Sequence, residues 1–183
     1  RSASPRRKDL LMKAGYSFDV LAADVDEDFL EGLSPYENVK KLGLKKAMYE
    51  CEKYEDSILI GCDTIVVLDN QVFGKPKNEE DAFLMLSKLS GKKHQVMSGV
   101  GIIYKKHVYN FVVVSNVYFK NLSKEDILNY IATKECFGKA GSYAIQGIGK
   151  CLISHYDGSL ENIIGLPIEE VEKILGEIDG MED

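Results

Sequence analysis

The sequence predicts an α/β fold built on a mixed β-sheet with flanking helices, and three observations predict it. Apolar runs such as Ile65-Val66-Val67-Leu68, Val96 to Tyr104 and Tyr109 to Phe119 read as strands. Segments with helical apolar spacing open on Ser or Asn caps. The two kinds of segment follow one another along the chain in the order an α/β domain requires. With 183 residues the length suits one domain spanning 1–183, arranged as two lobes around a cleft.

Ser4 is a favoured N-cap and Pro5 suits the first helical position; Leu10, Leu11 and Ala14 supply a short apolar stripe before Gly15 stops the helix. Ser17 to Leu21 reads as a short strand, followed by the acidic segment Asp24-Val25-Asp26-Glu27-Asp28. Ser34-Pro35-Tyr36-Glu37 is a capping box that starts a helix running to about Tyr54. Val39, Leu42, Ala47 and Cys51 give that helix a core face, and Gly43 weakens it. Ile58 to Ile60 and Ile65 to Leu68 are strand segments interrupted by the polar Gly61-Cys62-Asp63-Thr64. Asn70 marks a turn, Gln71 to Phe73 returns as a strand, and Asn78 opens a helix that ends at Ser90-Gly91 with Leu84, Met85 and Leu89 as core contacts. The two long strands that follow form a hairpin around Lys105-Lys106. Ser123 caps a helix to about Thr133, a Gly-rich passage runs from Gly138 to Gly149, a strand lies near Cys151 to His155, and Pro167 begins the last helix.

A net charge of -6 and a pI near 5.2 argue against a phosphate-backbone binding face, so no nucleic-acid partner is expected. The four cysteines form no C-x-x-C pair and are expected to be reduced; the three histidines are scattered and carry no metal-binding spacing. There is no apolar run of membrane-spanning length and no signal peptide, which leads to the expectation of a cytoplasmic protein with no membrane partner.

The chemistry starts at Ser4-Pro5-Arg6-Arg7-Lys8. A helix N-terminus is already the positive end of the dipole, yet three cations crowd its first turn. An anion such as phosphate would turn that repulsion into binding; the plainer reading is three basic side chains facing solvent. Asp63 lies between apolar strand segments, where an ionised carboxylate is costly unless it meets a cation, a metal or dense hydrogen bonding. It is a metal ligand or a general base at a strand end, or else it bonds backbone at a strand kink. Lys75 stands between Gly74 and Pro76, a setting that is expected to aim its ammonium; the alternative is a side chain loose in solvent. Neither a Walker A loop nor a dinucleotide fingerprint is present, whereas the amide of Gln146 is able to read a base edge as donor and acceptor. These parts suit hydrolysis of a nucleoside triphosphate, with cations and Mg²⁺ neutralising the phosphates and a carboxylate activating water.

Along nearly its whole length the sequence resembles the Maf proteins, nucleoside triphosphate pyrophosphatases. The resemblance rests on Ser2-Ala3-Ser4-Pro5-Arg6-Arg7-Lys8, Gly61-Cys62-Asp63-Thr64, Gly74-Lys75-Pro76, Leu89-Ser90-Gly91 followed by His94, Lys139-Ala140-Gly141-Ser142-Tyr143, Ile145-Gln146-Gly147 and Gly165-Leu166-Pro167. It implies a fold with a deep cleft, related to the inosine triphosphate pyrophosphatases, and Mg²⁺- or Mn²⁺-dependent cleavage between the α and β phosphates. By position Asp63 is similar to the family's catalytic base, Glu27 to an acidic metal-site residue shared with Asp63, and Arg6, Lys46 and Lys75 to phosphate-binding groups. Arg7, Thr64 and Gln146 match places associated with the choice of base, and Ser2, Ser4 and Lys8 belong to the same substrate-binding motif. Ser-Pro-Arg-Arg, Asp-Thr and Ile-Gln-Gly together resemble the branch acting on dTTP and UTP rather than those acting on 7-methyl-GTP or inosine nucleotides. The expected reaction is attack of water on the α-phosphorus under Asp63 while Arg6 and Lys75 bear developing charge. A homodimer is implied as well, and a non-hydrolysing nucleotide sensor linked to septum formation is the rival from another class. The family usually begins with an apolar strand ahead of this motif, whereas the sequence starts at Arg1-Ser2, so that either residues precede it or the strand is lost; it also departs from the family pattern at Cys62, Gly138 and Lys45, the last removing a local partner for Lys46.

Overall fold

A computed structural model describes residue 2 and residues 4–181. The helices are α1 (Pro5–Lys13), α2 (Pro35–Met48), α3 (Glu79–Leu89), α4 (Lys124–Ala132), α5 (Leu160–Ile164) and α6 (Ile168–Met181). The strands are β1 (Leu59–Leu68), β2 (Gln71–Phe73), β3 (Lys93–Tyr104), β4 (His107–Phe119) and β5 (Ile153–Asp157), ordered β2-β1-β3-β4-β5 in one sheet. This is the α/β class. The β1–β2 and β4–β5 pairs are antiparallel, and β3 and β4, joined only by Lys105-Lys106, form the expected hairpin.

The caps behave as local chemistry dictates. Ser34 and Ser123 each form a full capping box, with Glu37 and Asp126 respectively, and Asn78 accepts the N–H of Asp81. Four expectations fail. Ser17 to Leu21 forms no strand, because residues 17–21 join no ladder. α2 stops at Met48, where Tyr49 turns extended and Glu50 takes a left-handed φ of 50°, so Cys51–Tyr54 is a separate 3₁₀ turn. β1 runs unbroken through Gly61 to Thr64, and Leu84 is exposed rather than a core contact. The short α5 carries no signal beyond Ser159, whose hydroxyl accepts the Asn162 N–H.

The chain divides into two compact units, one of Arg1–Thr64, Ser98–Val113 and Gly165–Asp183, the other of Ile65–Met97 and Val114–Ile164. In the first, side chains alternate across β1 and β3 as strand geometry requires. Cys62, Val100, Ile102 and Tyr104 pack with Leu166, Val171 and Ile178, with Leu10 and Leu11 of α1 against them. Leu59 and Ile103 pack with Ala47 of α2. On that α2 side the residues between are glycines. A Cβ at Gly99 would overlap the Val39 carbonyl and come within 2.9 Å of Lys40 N; one at Gly61 would come within 2.9 Å of Lys46 C; one at Gly43 would come within 2.8 Å of Val100 N. Gly43, which by propensity weakens α2, is what lets the helix backbone lie directly on the strands.

In the second unit α3 and α4 pack against each other. Its core includes His94, 1 % exposed, edge-on to Phe119 and Tyr143 and hydrogen-bonded through Nε2 to Tyr143 Oη at 2.6 Å. Burial lowers the His94 pKa from the ordinary 6.5 to about 4. The unfolded chain therefore binds a proton between those values that the folded chain does not, so stability is full above the unfolded pKa and falls as pH drops from 6.5 towards 4. At 1.36 kcal/mol per unit the loss amounts to about 3 kcal/mol. Urea denaturation at pH 7 and pH 4.5 is expected to show most of this decrement, about 2 kcal/mol, in the native protein, and a shallower one in His94→Leu. Equal decrements in both would place the acid sensitivity elsewhere.

Candidate active site

Because α2 lies on Gly61 of β1, the next residue on that face of the strand, Asp63, is brought under Lys46. Lys46 Nζ donates to Asp63 Oδ1 at 3.0 Å and pairs with Glu27 Oε1 at 2.7 Å. The Lys46 side chain is 9 % exposed and that of Asp63 20 %, whereas Glu27, at 59 %, faces solvent. One ammonium thus neutralises the carboxylate that β1 half-buries and draws a second carboxylate to the same point. That answers the cost of burying Asp63, since a charge is tolerated in such a place when paired. Asp63 Oδ2 has no hydrogen-bond partner among the described residues, so one oxygen is held and the other is available.

Glu27 has no regular structure around it; the loop is fastened to α2 at two places. Lys45 Nζ donates to the Asp26 carbonyl at 2.7 Å. Buried Asn38 accepts the Leu30 N–H at 2.9 Å and donates to the carbonyls of Leu30 and Leu33. Lys45, which by sequence leaves Lys46 without a local partner, instead holds the residue next to Lys46's distant one. Asn38 was not legible as a site residue, because its partners are set by where the loop folds.

On the other face of β1, Thr64 meets α1. Arg7 Nη2 donates to Thr64 Oγ1 at 3.0 Å, Nη1 to Ser2 Oγ at 2.6 Å and Nε to the Gly165 carbonyl at 2.7 Å. Thr64 Oγ1 also shares a hydrogen bond of 2.8 Å with Ser98 Oγ, and the Cys62 thiol lies 3.4 Å from the same Gly165 oxygen. Three of the five guanidinium N–H groups are thereby committed to protein. Arg7 is a fixed part of the wall, not a free phosphate clamp. Ser98 and the Gly165 carbonyl complete this network; nothing in the sequence marks Ser98, and Gly165 is marked only as part of a family motif, since the two meet Thr64 only across long stretches of chain.

Ser4 caps α1 as expected, accepting the Arg7 N–H at 3.5 Å, while Lys8 is exposed. Arg6 is half-buried and has no hydrogen bond or ion pair among the described residues. Burial, then the charge of Arg7, lowers its pKa from the ordinary value. A guanidinium without a partner among the described residues, on a helix turn with no acidic residue, is able to accept an anion.

Lys75 and Gln146 belong to the second unit. Lys75 is exposed and follows Gly74, whose carbonyl accepts the Gly141 N–H at 3.1 Å. Gln146 is exposed between buried Ile145 and Gly147, whose φ is 79°. Neither side chain is hydrogen-bonded among the described residues.

The model of the Maf-like protein family matches residues 1–178. The chain belongs to that family. Among its relatives is a protein of Clostridioides difficile (strain 630) named dTTP/UTP pyrophosphatase, 44 % identical over 95 % of this chain and 91 % of its own. Relatives of the same name in Desulfitobacterium hafniense (strain Y51) and Geotalea uraniireducens (strain Rf4) are 45 % and 44 % identical, covering 95 % and 99 % of this chain and 82 % and 94 % of theirs. Among the described residues of this Maf-like protein, no helix is long and apolar enough to cross a membrane, and no group of three or more His, Cys, Asp or Glu residues gathers for a metal. Two carboxylates do converge, on Lys46 Nζ. Hard oxygen donors in that number suit Mg²⁺ or Mn²⁺, which take one or two carboxylates and complete their shell from substrate phosphates and water.

Proposed function

We propose that the protein hydrolyses nucleoside triphosphates, dTTP and UTP among them, to the monophosphate and pyrophosphate. The observation that carries the reading is Asp63, with Oδ1 fixed by Lys46 and Oδ2 without a hydrogen-bond partner among the described residues. A general base needs a carboxylate of fixed orientation with an available lone pair, and the hydrogen bond from Lys46 supplies the orientation. The names of the relatives support the substrate class.

Asp63 takes the proton from the water that attacks the α-phosphorus. Arg6, which has no ion-pair partner among the described residues, receives phosphate oxygens at the positive end of the α1 dipole. Lys75 and Lys46 are assigned to phosphates by motif, and Arg7, Thr64 and Gln146 to the base. Glu27 and Asp63 would hold Mg²⁺ or Mn²⁺, which supplies charge neutralisation of the triphosphate when bound. A reducing compartment such as the cytoplasm suits four free thiols, and a homodimer is carried over from the family.

The test is to incubate the protein with Mg²⁺ and UTP, dTTP, CTP and GTP in H₂¹⁸O and separate the products by ion exchange. The expected products are monophosphate carrying the label and unlabelled pyrophosphate. Diphosphate plus orthophosphate, or label in the pyrophosphate, would move the attack off the α-phosphorus and remove Asp63 from its role.

A further inference from the structure

Gln146 is the first residue of a loop that one half-buried carboxylate holds in place. Glu135 Oε1 accepts the Gly149 N–H at 2.8 Å and the Tyr130 hydroxyl at 2.8 Å, and Oε2 accepts the Ile148 N–H at 3.0 Å. Tyr130 is 2 % exposed, and its oxygen also accepts the Ala144 N–H at 3.3 Å, so both flanks of residues 145–147 are tied to the same pair of side chains. Gly147 fits because a Cβ there would lie 2.7 Å from Glu135 Oε2 and its φ of 79° suits glycine. From below, Lys139 Nζ donates to the Glu135 carbonyl at 3.1 Å. Burial opposes charge on Glu135, yet the Tyr130 hydroxyl and the two N–H groups, with Lys139, hold its pKa below the ordinary value. The pull on Tyr130 is in the opposite direction: burial first, then Glu135, raises its pKa, so it remains a donor.

These contacts fix the backbone that carries Gln146, and with it the position and direction from which its amide meets a base edge. An amide presents a donor on one end and an acceptor on the other, so a mobile one reads either polarity of base edge and discriminates little. A fixed one commits to one polarity. We infer that Glu135, with Tyr130, is a positioning residue that sets base selectivity by fixing the Gln146-Gly147-Ile148-Gly149 loop. This rests on the assignment of Gln146 to the base under the proposed function.

The test is Glu135→Gln, in which an amide NH₂ faces either the Ile148 or the Gly149 N–H, donor against donor. KM for UTP is expected to rise roughly tenfold with kcat within about twofold, and the UTP-over-CTP ratio of kcat/KM to fall by a similar factor. Inhibition by inorganic tripolyphosphate, which has no base, is expected to be unchanged. Tyr130→Phe keeps the two loop bonds and removes the hydroxyl; it is expected to shift the ratio in the same direction by less, and it decides the matter if Glu135→Gln does not fold. Gln146→Ala separates the two readings. If it abolishes UTP-over-CTP selectivity while neither positioning variant alters it, the inference is overturned and the base-reading role stands. If Gln146→Ala leaves selectivity intact, both fall. A rise in the tripolyphosphate inhibition constant equal to the rise in KM would also overturn the inference, since the loop would then act on phosphates.

Discussion

Asp63→Asn is expected to lower kcat for UTP by about 10³-fold, within the range that positioned acid–base groups contribute. Asn has the same shape, and its oxygen still accepts from Lys46 Nζ, which keeps its pair with Glu27. The packing of α2 on β1 therefore survives, and the stability loss is expected to stay near 1–2 kcal/mol, well short of the cost of stranding a buried charge. What Asn lacks is the ability to take a proton through Oδ2. The substitution separates chemistry from architecture, provided turnover and urea denaturation are measured on the same preparation. Thr64→Val makes the complementary probe, because Thr64 lies on the opposite face of β1 and touches Arg7, Ser98 and Gly165 but not Lys46. It is expected to change discrimination between bases far more than kcat for the best of them. Native turnover in Asp63→Asn would show that the carboxylate serves only to hold Lys46.

The division between what the sequence discloses and what it conceals follows the range of the interactions. Ser34 with Glu37, Ser123 with Asp126 and Asn78 with Asp81 are three-residue interactions, and each marks a helix start correctly. The hairpin at Lys105-Lys106 is equally local. Ser17 to Leu21 has strand composition and no strand, because strand formation depends on a partner edge that composition does not specify. At the site, Asp63 stands out as a carboxylate in an apolar strand, and Arg6 as a cation at a helix start without an acid. Lys46 and Glu27 carry no such mark; they are one lysine among several in α2 and one acid among several in a loop, and only the family motif points to them. The commitment of Arg7 to Ser2, Thr64 and Gly165 is invisible in Ser-Pro-Arg-Arg, where the two arginines look alike. Their different fates are decided by residue 165, more than 150 positions away.

The meeting of Lys46 and Asp63 depends on glycine, and Gly99→Ala is expected to break it. The added methyl would overlap the Val39 carbonyl and press on Lys40 N, both backbone atoms of α2, which have no rotamer with which to move aside. Helix α2 must then lift from β3. That opens the contact of Ala47 with Leu59 and Ile103, and it carries Lys46 away from Asp63. Overpacking of a core commonly costs 1–3 kcal/mol, and a backbone-on-backbone clash belongs at or above the top of that range, so the loss is expected to be at least about 3 kcal/mol. Turnover is expected to fall further than the folded fraction does, since the molecules that fold hold Asp63 without its full pairing. Gly176→Ala is the control. Gly176 sits in α6, its added Cβ meets nothing within 4 Å, and the exchange is expected to raise stability by up to about 1 kcal/mol through helix propensity. Urea midpoints of the two variants are thus expected to move in opposite directions. A Gly99→Ala protein as stable and as active as the native one would mean that α2 does not rest on β3 at this point, and the placement of Lys46 over Asp63 would lose its physical cause.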